Sequence, residues 1–293
     1  MPATAANLGP GFDCLALALD VWNEFEVDTD APAGIHVEGE GAKELRDAER
    51  NLVHGTIRDA FVVAGREPPS YGLACRNRIP LERGLGSSAS AVVGGLLLAR
   101  ALMGEDPSAG DVLDDAARIE GHPDNVAAAL SGGVVVVYAD VVHGGALAGT
   151  EGSWRTAPLP AHPGLRPVLL VPEHERLSTV EARRALPANV PLADAVFNAS
   201  RAALAVVALT ARPDLLREAM QDRLHQEARL RLVPEAGRVF HDMRAAGVPV
   251  CVAGSGPSLL AFETDERPVP DPGSGWSAVR AGVAARGATV DVT

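Results

Sequence analysis

The chain has 293 residues, of which 47% are hydrophobic, 22% charged and 4% aromatic, and it carries a formal net charge of −12. That apolar share excludes a disordered chain, and so acidic a balance lacks the bulk positive field that non-specific nucleic-acid binding needs, although a pocket for a small anion stays compatible with it. Lys43 is the only lysine, which excludes a Walker A loop, argues against a pyridoxal Schiff base, and leaves arginine to do any cationic work.

From the N-terminus, MPATAANLGPGFD has no basic segment followed by an apolar core, so it does not read as a signal peptide. Ala3 to Asp13 reads as a turn of small and polar residues. Phe25 to Val37 and Gly72 to Ile79 contain alternating apolar positions and read as strands. Between them, Asn51 to Gly65 reads as a helix, with Leu52, Ile57, Ala60, Phe61 and Ala64 on one stripe and Gly65 as a stop. Ser87 to Met103 is expected as a buried helix ended by Gly104 and Pro107. It holds the longest apolar stretch, Ala89 to Met103, which includes Arg100 and is too short to span a bilayer. Ser108 to Glu120 and Asn125 to Leu130 follow as helices. Gly132 to Tyr138 is a β-branched strand, and Gly144 to Pro163 reads as the connection between halves.

The second half opens with a strand from Arg166 to Val171. Helices are expected over Ala193–Ala211, Asp214–Arg223 and Pro234–Ala246, then strands over Val248–Ala253 and Ser258–Glu263. A loop rich in Pro and Gly, a helix (Ser277–Arg286) and a strand (Ala288–Val292) complete the chain. Cys14, Cys75 and Cys251 are far apart and odd in number, which points to a reduced, intracellular protein without structural zinc. Strands and helices are mixed without repeated βαβ crossovers, so the class is α+β in two lobes, residues 1–150 and 151–293.

The most informative segment is Pro80-Leu81-Glu82-Arg83-Gly84-Leu85-Gly86-Ser87-Ser88-Ala89-Ser90. A strand ends just before it and a helix starts within it, so two glycines precede a row of bare amides at a helix N-terminus. Both features attract anions, and glycine lets backbone approach a phosphate closely. The plain alternative is that Ser87 or Ser88 only caps the helix. Gly84-x-Gly86-x-x-Ala89 also fits the dinucleotide fingerprint, but Pro80 to Arg83 separate the strand from the first glycine and no βαβ pattern surrounds it. No G-x-S-x-G nucleophile elbow occurs.

Further clusters lie at Ala3 to Asp13, at Glu120-Gly-His-Pro-Asp-Asn125 and at Gly254-Ser-Gly-Pro-Ser258. In this order, over nearly the whole chain, they resemble the GHMP kinases, and within that superfamily the homoserine kinase branch. Pro80 to Ser90 is similar to the superfamily's phosphate loop. The opening segment, Ser178 to Arg183 and Asp222 to Arg229 are similar to segments of the homoserine branch. Family chains normally have a short strand before the opening motif, where this one starts at Met1-Pro2, and Ala5 stands where Ser is usual.

The resemblance implies a GHMP kinase fold. Its N-terminal lobe binds ATP and carries an unusual, left-handed βαβ crossover, and its C-terminal lobe is ferredoxin-like. It implies transfer of the γ-phosphoryl group of ATP to the side-chain hydroxyl of L-homoserine, a cytoplasmic step of threonine biosynthesis with Mg²⁺ as cofactor. The loop Pro80 to Ser90 would hold ATP. Ser88 (or Ser87) and Glu120 are the candidate metal ligands, with Asp114 and Asp115 as rivals. Asn7 and Asp13 suit the substrate's ammonium, and Arg183 and Arg229 its carboxylate. Thr179, Gly254 and Gly256 join the substrate site, while His122, Asn125 and Arg183 are the candidate catalytic residues. Asn125 stands where other branches place an aspartate base, and an amide cannot take a proton. The other readings are a kinase of another small alcohol such as mevalonate, and a GHMP-fold binding protein without turnover. The oligomeric state stays open, a homodimer included.

Overall fold

The computed structural model describes residues 1–106, 109–139, 153–264 and 267–292. Two antiparallel strands, β1 (Pro2–Ala6) and β2 (Leu15–Trp22), open the chain, followed by β3 (Glu24–Asp28) and β4 (Gly34–Gly39). Helix α1 (Leu52–Val63) leads to β5 (Gly72–Asn77), and α2 (Ser87–Met103), α3 (Ala109–Glu120) and α4 (Asp124–Ser131) lead to β6 (Val134–Ala139) and β7 (Trp154–Leu159). One sheet has the order β1-β2-β6-β7, and a second has β3-β5-β4. In the second, β4 and β5 are parallel and joined through α1, which makes a βαβ unit.

The C-terminal half starts with β8 (Pro167–Pro172). Short α5 (Thr179–Arg184), long α6 (Leu192–Thr210), a 3₁₀ turn over Pro213–Leu215, α7 (Leu216–Ala219), α8 (Gln226–Leu230) and α9 (Pro234–Ala245) follow. Strands β9 (Val250–Val252), β10 (Leu259–Phe262) and β11 (Trp276–Val279) complete an antiparallel sheet of order β11-β8-β10-β9. That order is the ferredoxin-like one.

Burial on both faces explains the central strands. Along β8, Leu169 and Val171 face one core while Val168 and Leu170 face another; β10 divides likewise, with Leu260 and Phe262 opposite Leu259 and Ala261. Period-two alternation with both faces apolar is what a central strand requires. The core holding Leu169 and Phe262 also holds Ala3, Ala5, Leu15, Leu17 and Leu19 of β1 and β2. The two lobes therefore share one hydrophobic core.

Several expectations are corrected. Ala3 to Asp13 is not all turn, since β1 occupies its start, and Leu15 to Trp22 forms a strand that the sequence reading lacked. The residues are mostly Ala and Leu, poor strand formers, and burial on both faces overrides propensity. Gly144 to Gly152 lie outside the described residues, but Trp154–Leu159 of that expected connection is β7, paired with β6. Ser277 to Arg286 is not helical: β11 fills the open edge of β8, and the chain beyond it runs back to the first lobe, where Leu19 bridges Val283. Ala288 to Val292 forms no strand; Ala288 donates to the carbonyl of Ala129 at the end of α4. The helix expected over Asp214–Arg223 stops at Ala219. Helix α6 is by length and composition apolar enough to cross a membrane, whereas α2, which holds Ala89 to Met103, is shorter. One side of α6 packs Ala205, Ala208 and Leu209 into the shared core.

Candidate active site

A cleft of about 250 Å³ opens where the two lobes meet, bordered by the Pro80–Ala89 loop, the Glu120–Asn125 turn, α5 and Arg229. Its floor is the N-terminus of α2. The cap residue Gly86 has φ +70°, and no side chain caps the helix. The Ser-cap alternative therefore fails, and the first amides of a 17-residue helix are left toward the cleft. Such amides and the positive end of the helix dipole favour an anion.

The glycines of the loop are demanded by close approach. A Cβ on Gly86 would run into the Thr4 hydroxyl, and one on Gly84 would run into the carbonyl of Ala253. Gly84 (φ +71°) and Gly254 (φ +57°) thus let the two glycine segments pass backbone against backbone. Across the same seam, the Gly254 amide donates to the Ala6 carbonyl at 3.0 Å.

Not every loop side chain is offered to the cleft. Ser90 is fully buried inside α2, while Leu85 and Ala89 border the cleft with side chains packed into the cores at 1% exposure. Leu81 does not border the cleft and touches the position of Gly41. The Arg83 guanidinium bridges to the second lobe, with Nε donating to the Pro172 carbonyl at 2.9 Å and Nη2 to that of Glu173 at 2.9 Å. It joins the lobes rather than offering itself to a phosphate. Glu82 pairs with Arg176 at 2.9 Å.

At the side of the α2 N-terminus, the Ser88 hydroxyl donates to Glu120 Oε1 at 2.5 Å. The Glu120 side chain is only 9% exposed, so it is no ordinary solvated helix-end carboxylate. The rivals are engaged elsewhere: Asp114 accepts the amide of Trp154, and Asp115 pairs with Arg100 and Arg118. A serine hydroxyl and a carboxylate are hard oxygen donors of the kind Mg²⁺ takes, with phosphate and water oxygens completing its shell.

His122 sits next to Glu120 and donates from Nδ1 to Asp124 Oδ1 at 3.1 Å. Burial by itself lowers the imidazole pKa, but the Asp124 hydrogen bond and the charges of Asp124 and Glu120 outweigh it, so the net shift is upward. Asp124 is 1% exposed; burial raises its pKa, yet the His122 contact and the Asn125 amide bring it below its usual range. Its Oδ2 has no hydrogen-bond partner among the described residues. The sequence reading passed over Asp124, although a His two residues ahead at a helix start is a readable cue. Asn125 accepts the Thr4 hydroxyl on Oδ1 at 2.8 Å, which leaves its NH₂ end for a ligand. Thr4 was missed as well, and no local signal marks it.

At the opposite end, Arg183 of α5 makes a bidentate pair with Asp13 at 3.0 and 2.8 Å. Asp13 lies in the first-lobe loop at φ +55°, so the pair reaches across the cleft. Asn7 is tied at both ends, with Oδ1 accepting the Asp13 amide and Nδ2 donating to the Gly254 carbonyl. It holds Asp13 in place and is not a free partner for an ammonium. Arg229 is 1% exposed, and burial pulls its pKa down to about 10. Thr179 is the exposed first residue of α5 on the cleft rim. Gly254 acts through its carbonyl, and Gly256 lies behind it against Gly84. Asn198 of α6, also missed, donates to the Pro10 carbonyl and accepts the Arg223 amide, linking the loop that carries Asp13 to the turn that leads into α8, which carries Arg229.

Residues 51–133 match the model of the GHMP kinases N-terminal domain. The chain is 47% identical over 275 residues to a homoserine kinase of Rhodococcus erythropolis, covering 92% of this chain and 86% of that protein. It is 42% identical over 298 residues to a homoserine kinase of Streptomyces avermitilis, covering 99% and 94%. A crystal structure of homoserine kinase from Cytophaga hutchinsonii superposes with a TM-score of 0.77 at 28% identity, covering 98% of this chain and 94% of that one.

Proposed function

The chain belongs to the homoserine kinase family of the GHMP kinases, and we propose that its cleft divides phosphoryl transfer between an amide-lined phosphate end and a charged acceptor end. The reaction carries the γ-phosphoryl group of ATP to the side-chain hydroxyl of L-homoserine, giving ADP and O-phospho-L-homoserine, a step of threonine biosynthesis. Phosphoryl transfer is mostly positioning plus charge stabilisation. The observation that carries the division is that uncapped α2 amides and charged groups from both lobes border one cleft.

At the phosphate end, the amides from Gly84 to Ser88 hold the β- and γ-phosphates. Ser88 and Glu120 are the pair that would hold Mg²⁺, which when bound neutralises developing phosphate charge. At the acceptor end, the substrate is a zwitterion. Its ammonium takes Asp13, and its carboxylate takes the forks of Arg183 and Arg229. The Asp13–Arg183 pair has the same two charges, so substrate exchanges one ion pair for two.

Asn125 offers its NH₂ to the hydroxyl oxygen and orients it toward the γ-phosphorus. The hydroxyl oxygen forms the new O–P bond as the bond from that phosphorus to the β,γ-bridging oxygen breaks. The proton passes to an oxygen of the transferred group, because Asn125 cannot accept it. His122, held as a donor to Asp124, favours the cationic form and a phosphate contact over a base role.

A coupled assay of ADP release with homoserine, mevalonate and threonine, with Mg²⁺ varied, tests this. Homoserine is expected to be turned over best, with the rate saturating in Mg²⁺. Preference for mevalonate would overturn the acceptor assignment, and a rate unchanged by removal of divalent ions would remove Ser88 and Glu120 from the metal role.

A further inference from the structure

We propose that His225 is a positioning residue that aims the Arg229 fork at the substrate carboxylate by accepting one of its N–H groups. The proposal rests on the reading of Arg229 as a carboxylate anchor.

His225 lies 1% exposed at the start of α8, behind the cleft. Its Nε2 is 2.7 Å from the Gly9 carbonyl. A carbonyl only accepts, so the ring proton is on Nε2 and Nδ1 presents a lone pair. Arg229 Nη1 lies 3.2 Å from that Nδ1 and also donates to the Gly254 carbonyl at 2.8 Å. Both hydrogens of Nη1 are thereby directed, and a planar guanidinium with one nitrogen fixed in this way has its whole plane fixed. Nε is buried and without a partner among the described residues. No bond of Nη2 occurs among the described residues, so the Nε/Nη2 edge is the one left for a bidentate anion at the cleft that Arg229 borders.

The surroundings hold this arrangement. Asp222 accepts the amides of Leu224, His225 and Gln226 and so fixes the turn that carries the ring. Phe12 lies 5.4 Å from the His225 ring and 5.2 Å from the Arg229 guanidinium, a cation–π distance. The groups facing the ring are Asp222, Arg229 and Asp13; burial outweighs the two carboxylates and, with Arg229, pulls the imidazole pKa down to about 4. The acceptor lone pair therefore persists at neutral pH.

Two variants separate the two ring nitrogens. His225→Gln can still reach the Gly9 carbonyl but withdraws the Nδ1 acceptor, whereas His225→Asn keeps an acceptor near Nδ1 and withdraws the donor to Gly9. Each is assayed with homoserine and with 2-amino-1,4-butanediol, which keeps the ammonium and the side-chain hydroxyl and carries a hydroxymethyl group in place of the carboxylate. His225→Gln is expected to raise KM for homoserine about tenfold, with KM for ATP and kcat/KM for the diol within about threefold of wild type. His225→Asn is expected to recover most of the homoserine KM. Equal losses on both acceptors, a matching rise in KM for ATP, or no rescue by Asn would overturn the proposal and leave His225 a structural residue. Arg229→Ala is the control: an unchanged homoserine KM there sinks the anchor reading itself, while a raised KM there with a normal His225→Gln enzyme sinks only the role of His225.

Discussion

Arg183 and Asp13 form the ion pair on which the proposed acceptor end rests. Each is about one-third exposed, at 35% and 34%, so their mutual attraction is screened and exchange with a zwitterion is feasible. Arg183→Ala is expected to raise KM for homoserine by the equivalent of about 1.5–3 kcal/mol, the usual size of a charged hydrogen bond, with kcat less affected. Unchanged KM with a lower melting temperature would make Arg183 a structural residue. Asp124 acts on its neighbour. Because its carboxylate lifts the His122 pKa against burial, Asp124→Asn is expected to lower the imidazole titration point seen by NMR. An unmoved titration would detach the two residues.

In the proposed reading, helix α2 is the element that makes the cleft a phosphate site, and Gly86 is where it meets β1. Gly86→Ala puts a Cβ on a left-handed residue and against the Thr4 hydroxyl that holds Asn125. The expected loss is about 1–3 kcal/mol of stability together with a lowered kcat, measured by urea unfolding and ADP release. A stable variant with normal turnover would mean that the loop adapts. Element identity also decided the C-terminus. The residues of β11 read as a helix in isolation, yet the unpaired edge of β8 offered a ladder, and three prolines (Pro268, Pro270 and Pro272) precede it.

For the molecule as a whole, one core and a few polar bolts keep the lobes in register. Arg83→Ala leaves the carbonyls of Pro172 and Glu173 without their donor. A loss of about 1.5–3 kcal/mol in urea unfolding is expected, and a smaller loss would assign the lobe contact to the apolar core alone. The pH dependence has two signs. His225, lowered from 6.5 to about 4, binds its proton less tightly when folded. Its contribution is full above pH 6.5 and is lost as pH falls toward 4, on the order of 3 kcal/mol. His122 is raised, so its contribution is full below 6.5 and is lost as pH rises through its folded value. Asp124 is lowered, so its contribution is full above 3.8 and is lost as pH falls through its folded value. Comparing unfolding at pH 4.5 and 7.5, His225→Gln is expected to lose less stability on acidification than the wild type. An equal loss would mean that His225 does not titrate in this range.

Local chemistry was legible without coordinates. The Gly84–Ser88 run reads as an anion nest, α1, α2 and α4 read from their periodicity and stops, and the motifs at both ends pointed to one kinase family. Those features depend on neighbours in the chain, which the sequence orders directly. The roles of Thr4, Asn198 and His225, and the diversion of Arg83 and Asn7 to backbone carbonyls, depend on residues up to 247 positions apart. So do the strands β1 and β2, whose own propensities argue otherwise, and β11, which needs the open edge of β8. Burial and hydrogen-bond satisfaction are properties of the closed fold, and only the fold could assign them.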